Sequence, residues 1–495
     1  METVFLAIDL GTSRCKVALF EIDGTVLSVL DHPIESIASG PGRIEQSPHQ
    51  WWSAVSTLTR RLASTCDPNG RLPGISVTDQ MHVLVPLARD GTVVGPAITL
   101  MDRRAEAECD DLEARILLPR LVEITGARLG PYAPLPKLMW LQRHAPTVLD
   151  RADVLLPCKD YLRFLLTGHV ATEPVDAAGT LLYDIASANW SEEICEASNV
   201  PPSLLPRLAA PAGLGGIVRR EAARATGLPE GTPVAVGAGD DVAFLAAGVV
   251  SHGQAYEDLG STASFLACVD KPVWADDLAL DRYPHVLPKR WLVGGATSTA
   301  GAALVWVSTQ LGSDLAPGGA PIGPVSDVPL LFLPYLEGAR SPLWNSHARG
   351  VFFGPTSSHR ASHLVRAVKE GVAFALLDLV ESLRRLNVPL EQIFSVGGLT
   401  QDQEWTRIRA TVYGQPTFRV HATHGSCLGS AMLAAAAVGA YRSVEAAVEG
   451  MRSPCERIEP LEEGAERYDR LYSLHRKLYE AVRPPYSEAL EQQIT

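Results

Sequence analysis

One five-residue phrase occurs twice, as Asp9-Leu10-Gly11-Thr12-Ser13 and as Asp258-Leu259-Gly260-Ser261-Thr262. The copies start 249 residues apart in a chain of 495, and in each an apolar, strand-like run leads into the phrase and another leads out. A repeat at half the chain length points to a duplicated unit, and a chain of this size outgrows a single hydrophobic core. Two domains are therefore expected, each built around one copy.

The chemistry of the phrase is equally restrictive. A glycine turn between two strands directs several backbone N–H groups to one side, and neighbouring hydroxyls add donors suited to phosphate oxygens. Gly11, Thr12 and Ser13 in the first copy, and Gly260, Ser261 and Thr262 in the second, are the candidate phosphate ligands. Asp9 would lie beside such phosphates, where it could hold a hydrated Mg²⁺, and Lys16 on the outgoing strand could reach a phosphate oxygen.

The first thirty residues predict a three-stranded antiparallel meander, with Asp23-Gly24 as a hairpin turn. Further on, β-like runs at 394–397 and 417–420 alternate with helical patterns at 359–386, 428–441 and 466–482, so the class is mixed α/β. The second of these helices is alanine-rich and, like the first, is expected inside the second domain. Pro484-Pro485 is expected to halt the last one. The glycine- and proline-rich stretch 313–329 reads as a surface loop.

A second centre is Val236-Gly237-Ala238-Gly239-Asp240-Asp241. One of its carboxylates suits a general base that deprotonates a hydroxyl attacking a phosphate, and either also suits the cap of a following apolar helix. Gly237 and Gly239 do not make a dinucleotide fingerprint, because a third glycine is missing and two acids stand where a pyrophosphate would sit. Gln80-Met81-His82 closes a strand-like run, 75–78, and offers an amide and an imidazole for sugar hydroxyls. Asp102 with Arg103-Arg104 fits a ligand pair or a solvated face. Gly397-Gly398, after a strand, permits the close backbone approach that a flat adenine ring needs.

No GxxxxGK[ST], HExxH or C2H2 pattern occurs. Ser13-Arg14-Cys15-Lys16 has the spacing of a serine acyl enzyme, but it lies inside the glycine turn and lacks the partner motifs. With 43 basic and 56 acidic residues the net charge is −13, which disfavours nucleic acid and anionic membrane surfaces as partners. The apolar share of 46% comes without a run long enough to span a bilayer. Eight scattered cysteines without a CxxC pair, and a start without a basic then apolar leader, are expected of a cytoplasmic protein with reduced thiols.

The wording of 7–13, Gln80-Met81-His82, Leu156-Pro157-Cys158-Lys159-Asp160-Tyr161-Leu162-Arg163, Asp176-Ala177-Ala178-Gly179-Thr180, Gly239-Asp240 and Phe332-Leu333-Pro334-Tyr335-Leu336 resembles the FGGY carbohydrate kinases, xylulokinases being nearest. The resemblance runs from the first strand to about Tyr441. It implies two actin-like, ribonuclease-H-like domains, each a mixed β-sheet flanked by helices, around a deep central cleft. It divides the chain into a sugar-binding domain, 1–246, an ATP-binding domain, 247–445, and a helical tail, 446–495.

By the same resemblance Asp240 is the proton acceptor, Asp9 the essential acid, and both approach Mg²⁺ through water. Gln80, Met81, His82, Asp102 and Asp241 face the sugar, and Gly397 and Gly398 the nucleoside end. The expected partners are ATP and a small ketose, first D-xylulose; another ketose, a polyol or gluconate is the alternative, and a homodimer is the assembly entertained. A non-catalytic actin-like binding protein is the rival of another class. Asp241, where xylulokinases typically have Asn, and Leu100-Met101, where they have Trp-Asn, depart from the pattern and bear on the sugar.

Overall fold

The computed structural model describes residues 3–65, 72–274, 279–311, 328–462 and 464–491. Residues 313–327 of the loop-like insertion, and Cys66, lie outside them. Two compact units emerge: 1–250 with 282–291 and 423–453, and 251–281 with 292–422 and 454–495.

The first unit is built on strands β1 (Val4–Leu10), β2 (Arg14–Glu21), β3 (Val26–Pro33), β4 (Gly74–Asp79), β5 (Leu214–Ile217) and β6 (Pro233–Ala235), in the sheet order β5-β6-β4-β1-β2-β3. Neighbours β1, β2 and β3 are antiparallel, β1 with β4 and β4 with β6 are parallel, and β5 with β6 is antiparallel. The expected meander is thus present, and Gly24 turns its hairpin at φ 84°, a left-handed conformation that glycine adopts without penalty.

The second unit contains β7 (Gln254–Leu259), β8 (Ala263–Val269), β9 (Trp291–Thr297), β10 (Gln392–Val396), β11 (Thr417–Val420) and β12 (Cys455–Ile458), adjacent in the order β9-β8-β7-β10-β11-β12. Again the pair around the glycine turn is antiparallel, the next two pairings are parallel, and the edge pairing is antiparallel. The repeat in sequence is therefore a repeat in fold, a mixed sheet flanked by helices, with the edge strand taken from opposite sides of its neighbour in chain order.

Because β1 is covered on both faces it is apolar throughout save for Asp9 at its end, and every residue of it is buried. One cover is the helix Gly425–Ala437, which was expected in the second domain and instead packs on β1 and β4 of the first unit. Ser430 and Ser76 join their hydroxyls at 2.9 Å, and a Cβ on Gly429 would lie 2.2 Å from the Val242 carbonyl oxygen. That helix is apolar almost all round, so its pattern does not say which neighbour it covers.

Helices Ala361–Arg385 and Ala465–Glu491 form where the periodicity predicts. The second, however, continues through Pro484 and Pro485 rather than ending at them. Tertiary anchoring offsets the missing amide donors there: Tyr486, just past the prolines, is buried and donates its hydroxyl to the Arg349 carbonyl at 2.8 Å. No described helix is long and apolar enough to cross a membrane.

Candidate active site

The register of β1 and β2 sets Asp9 opposite Lys16, with Nζ 3.7 Å from Oδ2. From the Gly425–Ala437 helix the Cys427 thiol reaches the same oxygen at 3.9 Å. Burial pushes the Asp9 carboxyl up, while Lys16 pulls it back down. Burial and the Asp9 charge together hold the Cys427 thiol well above its ordinary value, so the sulfur is a weak donor rather than a thiolate.

The turn itself is held from behind. Gly11 N–H donates to Arg14 O at 3.0 Å, the Ile34 N–H donates to Ser13 O, and the Gln46 side chain donates to Thr12 O at 2.7 Å. Gln46 in turn accepts from the Trp51 indole at 3.0 Å and from the Gln80 amide at 2.7 Å. Gln80, read as a sugar ligand, is therefore buried with its N–H committed to this scaffold. Ser13 is exposed and Thr12 half-exposed, which leaves the hydroxyl side open.

Asp240 opens a short 3-10 turn, Asp240–Val242, that leads into the helix Ala243–Ala247. Its N-cap is Gly239, so neither acid occupies the capping position. The glycines before it allow two close approaches: Gly237 has φ 82° with Val77 O 2.1 Å from where a Cβ would stand, and a Cβ on Gly239 would meet Met81 Cγ at 2.5 Å and Asp176 Oδ1 at 3.1 Å. Met81 is thus the floor under the Asp240 segment. Water reaches Asp240, yet the surrounding protein, and then Asp241, Asp9 and Asp176, push its carboxyl well up. The three like charges are the firmer cause, since exposure tempers the desolvation.

His82 sits at φ 68°, uncommon for a side-chain-bearing residue. Its Nδ1 lies 2.8 Å from Gly179 O, which can only accept, so Nδ1 carries the proton. Its ring meets Tyr132 edge-on at 5.5 Å, and Tyr132 joins Leu100, Met101, Asp102, Arg103 and Pro131 around a cavity of about 310 Å³. Asp102 has no exposure, and its two oxygens accept from Ile44 N–H and from the backbone and guanidinium of Arg104. It braces this loop, and the exposed lining comes from Leu100, Met101 and Arg103.

Behind Met81 and Gly239 lies a buried ionic cluster. Lys159 Nζ stands 2.6 Å from Asp176 Oδ2, 2.9 Å from Asp160 Oδ2 and 3.5 Å from Glu173 Oε1, and its own N–H donates to Asp79 Oδ2 at 2.7 Å. Arg163 donates to Asp160 Oδ1 at 2.7 Å. Four buried carboxyls thus share two cations. Burial, then the neighbouring acids, push Asp79 well up, and burial raises Glu173 to about 7 and also raises Asp176, so the cluster retains protons at neutral pH. Burial alone would lower Lys159, but the four carboxyls outweigh it and hold it charged.

In the second unit the register places Ser264 opposite Asp258, so this turn has no counterpart of Lys16. It is one residue tighter: Gly260 N–H donates to Thr262 O at 2.9 Å. Gly397, at φ 95°, presses on Leu259 O and Asp258, while a Cβ on Gly398 would meet nothing within 4 Å. Gly260, Ser261, Thr262, Gly397 and Gly398 are therefore brought to one place, and the N–H groups of Ala300 and Ala302 fasten it through Ser261 O. Beneath it Glu257, fully buried, accepts from Ser395, Arg409 and Tyr413.

Gln46, Tyr132, Cys427 and the Lys159 cluster were not singled out as site residues by residue chemistry. Lys159 and Asp176 lie in stretches that carry the family resemblance, but nothing local in the sequence shows that they meet. Among the described residues no group of three or more acids, histidines and cysteines is disposed to hold a metal alone.

The FGGY family of carbohydrate kinases, N-terminal domain, matches residues 4–247, and the C-terminal domain of that family matches residues 258–438. The chain is similar to xylulose kinase of Escherichia coli K12, 32% identical over 446 residues, 89% of this chain and 91% of that one. It is similar to gluconokinase of Bacillus subtilis 168, at 26% identity, across 100% and 99% of the two chains. The crystal structure of xylulose kinase from Rhodospirillum rubrum has a TM-score of 0.90 at 29% identity, with 98% of this chain and 100% of that one covered.

Proposed function

The chain belongs to the FGGY family of carbohydrate kinases, and we propose that it transfers the γ-phosphate of ATP to a hydroxyl of a small ketose, D-xylulose to D-xylulose 5-phosphate. The observation that carries this is Asp240, a water-accessible carboxyl raised by the protein around it and by Asp241, Asp9 and Asp176, and seated over Met81. A carboxylate so raised is a stronger base, and it needs only hydrogen-bond reach to a sugar hydroxyl. In the step, the hydroxyl oxygen bonds to the γ-phosphorus as the bond to the β-phosphate oxygen breaks, and the hydroxyl proton passes to Asp240.

Gly11, Thr12, Ser13 and Lys16 are proposed to bind phosphate, as are Gly260, Ser261 and Thr262, with Gly397 and Gly398 at the nucleoside end. Residues 1–246 would take the sugar, through Met81, His82, Asp241 and the Asp102 loop, and 247–445 the ATP, with 446–495 as a tail. Mg²⁺ fits the donor set: one or two carboxylates, completed by water and phosphate, suit it better than an all-protein cage, and Asp9 and Asp240 are those carboxylates. When bound it would neutralise phosphate charge. Cys15, Cys109, Cys158, Cys195, Cys427 and Cys455 form no disulfide, which suits the reducing cytoplasm.

The test is Asp240→Asn. The variant should keep its fold and ATP binding and lose sugar-dependent ADP formation across a panel of D-xylulose, other ketoses, polyols and gluconate. Near-normal ADP formation by the variant would remove the assignment of the base, and gluconate as preferred acceptor would replace D-xylulose.

A further inference from the structure

In the first unit the helix Pro134–His144 buries Lys137, which is only 3% exposed. Lysine is seldom enclosed so completely, and no step of the proposed transfer uses this one. Its Nζ stands 2.5 Å from Tyr132 O, 2.8 Å from Thr99 O and 3.3 Å from His82 O. An ammonium has three N–H donors and no acceptor, so the three carbonyls take all of them. The side chain also lines a cavity of about 20 Å³ whose other walls are leucines, prolines and Ile98.

The three carbonyls come from segments far apart in the chain, and all three segments border one space. Tyr132 lines the cavity of about 310 Å³ with Leu100, Met101 and Arg103. Thr99 leads directly into that loop, and its carbonyl also accepts from the Asp102 N–H at 3.1 Å. The His82 ring meets the Tyr132 ring edge-on at 5.5 Å. His82 is thus held twice, its ring by Gly179 O and its carbonyl by Lys137. A residue at φ 68° needs such bracing, because the surrounding structure must over-determine an uncommon backbone conformation.

Burial pushes the Lys137 ammonium down to about 7; Asp102 works against this, Arg104 with it, and Cys158 against it. His82 and Tyr132 meet the ammonium through their carbonyls, and the Tyr132 hydroxyl donates to Arg128 O at 3.0 Å. A neutral amine keeps two N–H donors and turns a lone pair toward the third carbonyl. The tie between the three segments therefore loosens as pH rises past about 7.

We propose that Lys137 is a positioning residue of the acceptor site, its ammonium holding the His82 segment, the 99–103 loop and Tyr132 in the arrangement that receives the sugar. The inference rests on the reading that this region takes the acceptor. The experiment is steady-state kinetics of the wild-type chain and Lys137→Met from about pH 6 to 9, with D-xylulose and with gluconate. Methionine keeps an unbranched stem and removes every donor. The variant should raise the acceptor KM about tenfold, leave the ATP KM within about twofold, and lower kcat by less than the KM rises. In the wild type the acceptor KM should climb as pH passes about 7, and in Lys137→Met it should stay level across that range. A lysine with a merely structural role would reduce the amount of active enzyme and leave both KM values unchanged, and that result overturns the proposal. A wild-type acceptor KM that is level with pH, or one that climbs equally in the variant, also overturns it. The wild-type profile decides alone if Lys137→Met folds poorly. Failure of Asp240 as the base is read separately, from Asp240→Asn, and leaves these KM comparisons intact.

Discussion

Lys159 stands in a stretch that carries the family resemblance, yet its surroundings are not legible there. Its neighbours Asp160 and Arg163 suggest a solvated helix face, and only the fold reveals that Asp79, Glu173 and Asp176 close around it. Removing one partner of such a buried group leaves uncompensated charge, so Lys159→Met should lose about 3–5 kcal/mol of stability in urea unfolding. Asp9 and Asp240 stand out as candidates because their spacing to glycine turns is a local property. Gln80 and Asp102 were less so, because the hydrogen bonds that occupy them come from Gln46, Ile44 and Arg104, far along or hidden in local turns. His475 makes a second prediction at this scale. Folded it stays unprotonated down to about pH 3, whereas unfolded it takes a proton below about 6.5, so it makes stability rise with pH between those values. Relative to His475→Phe, the wild-type chain should lose about 2 kcal/mol between pH 8 and pH 5 in urea titrations.

Among the elements, the two glycine turns are alike in strand pairing and unlike in detail, four residues between paired positions in the first and three in the second. The shared phrase foretold the pairing; the difference follows from register, which a five-residue match does not contain. Strand runs such as 75–78 and 417–420 were read closely because alternation and buried runs are local, while the passage of the last helix through two prolines was not, since tertiary anchoring decides it. The helix Gln403–Tyr413 beside Gly397-Gly398 depends on Asp402, which caps Trp405 N–H at 3.0 Å and pairs with buried Lys369. Asp402→Ala should therefore cost about 3 kcal/mol, a lost cap together with a stranded cation, measured by chemical denaturation. A loss below 1 kcal/mol would show that neither bond matters there.

For the whole molecule, the duplication was readable from the repeat, but the interleaving of the chain was not. The first unit draws on three separate stretches, and 282–291 reaches it through contacts such as Arg282 N–H to Gly126 O at 3.0 Å. A fragment ending at Val250 lacks both that stretch and the helix over β1 and β4. It should be protease-sensitive and lack a cooperative unfolding transition, and a fragment that melts cooperatively would contradict this reading.

The returning helix Gly425–Ala437 also has a meaning for how the protein is made. On the ribosome, β1 and β4 emerge early with one apolar face bare, and about 350 further residues, from Asp79 to Gly425, must be synthesised before their cover arrives. At about 5–20 residues per second that is roughly twenty to seventy seconds in which a sticky sheet waits. The first unit is thus begun first and finished near the end, and Asp9 meets Cys427 only when almost the entire chain has been translated.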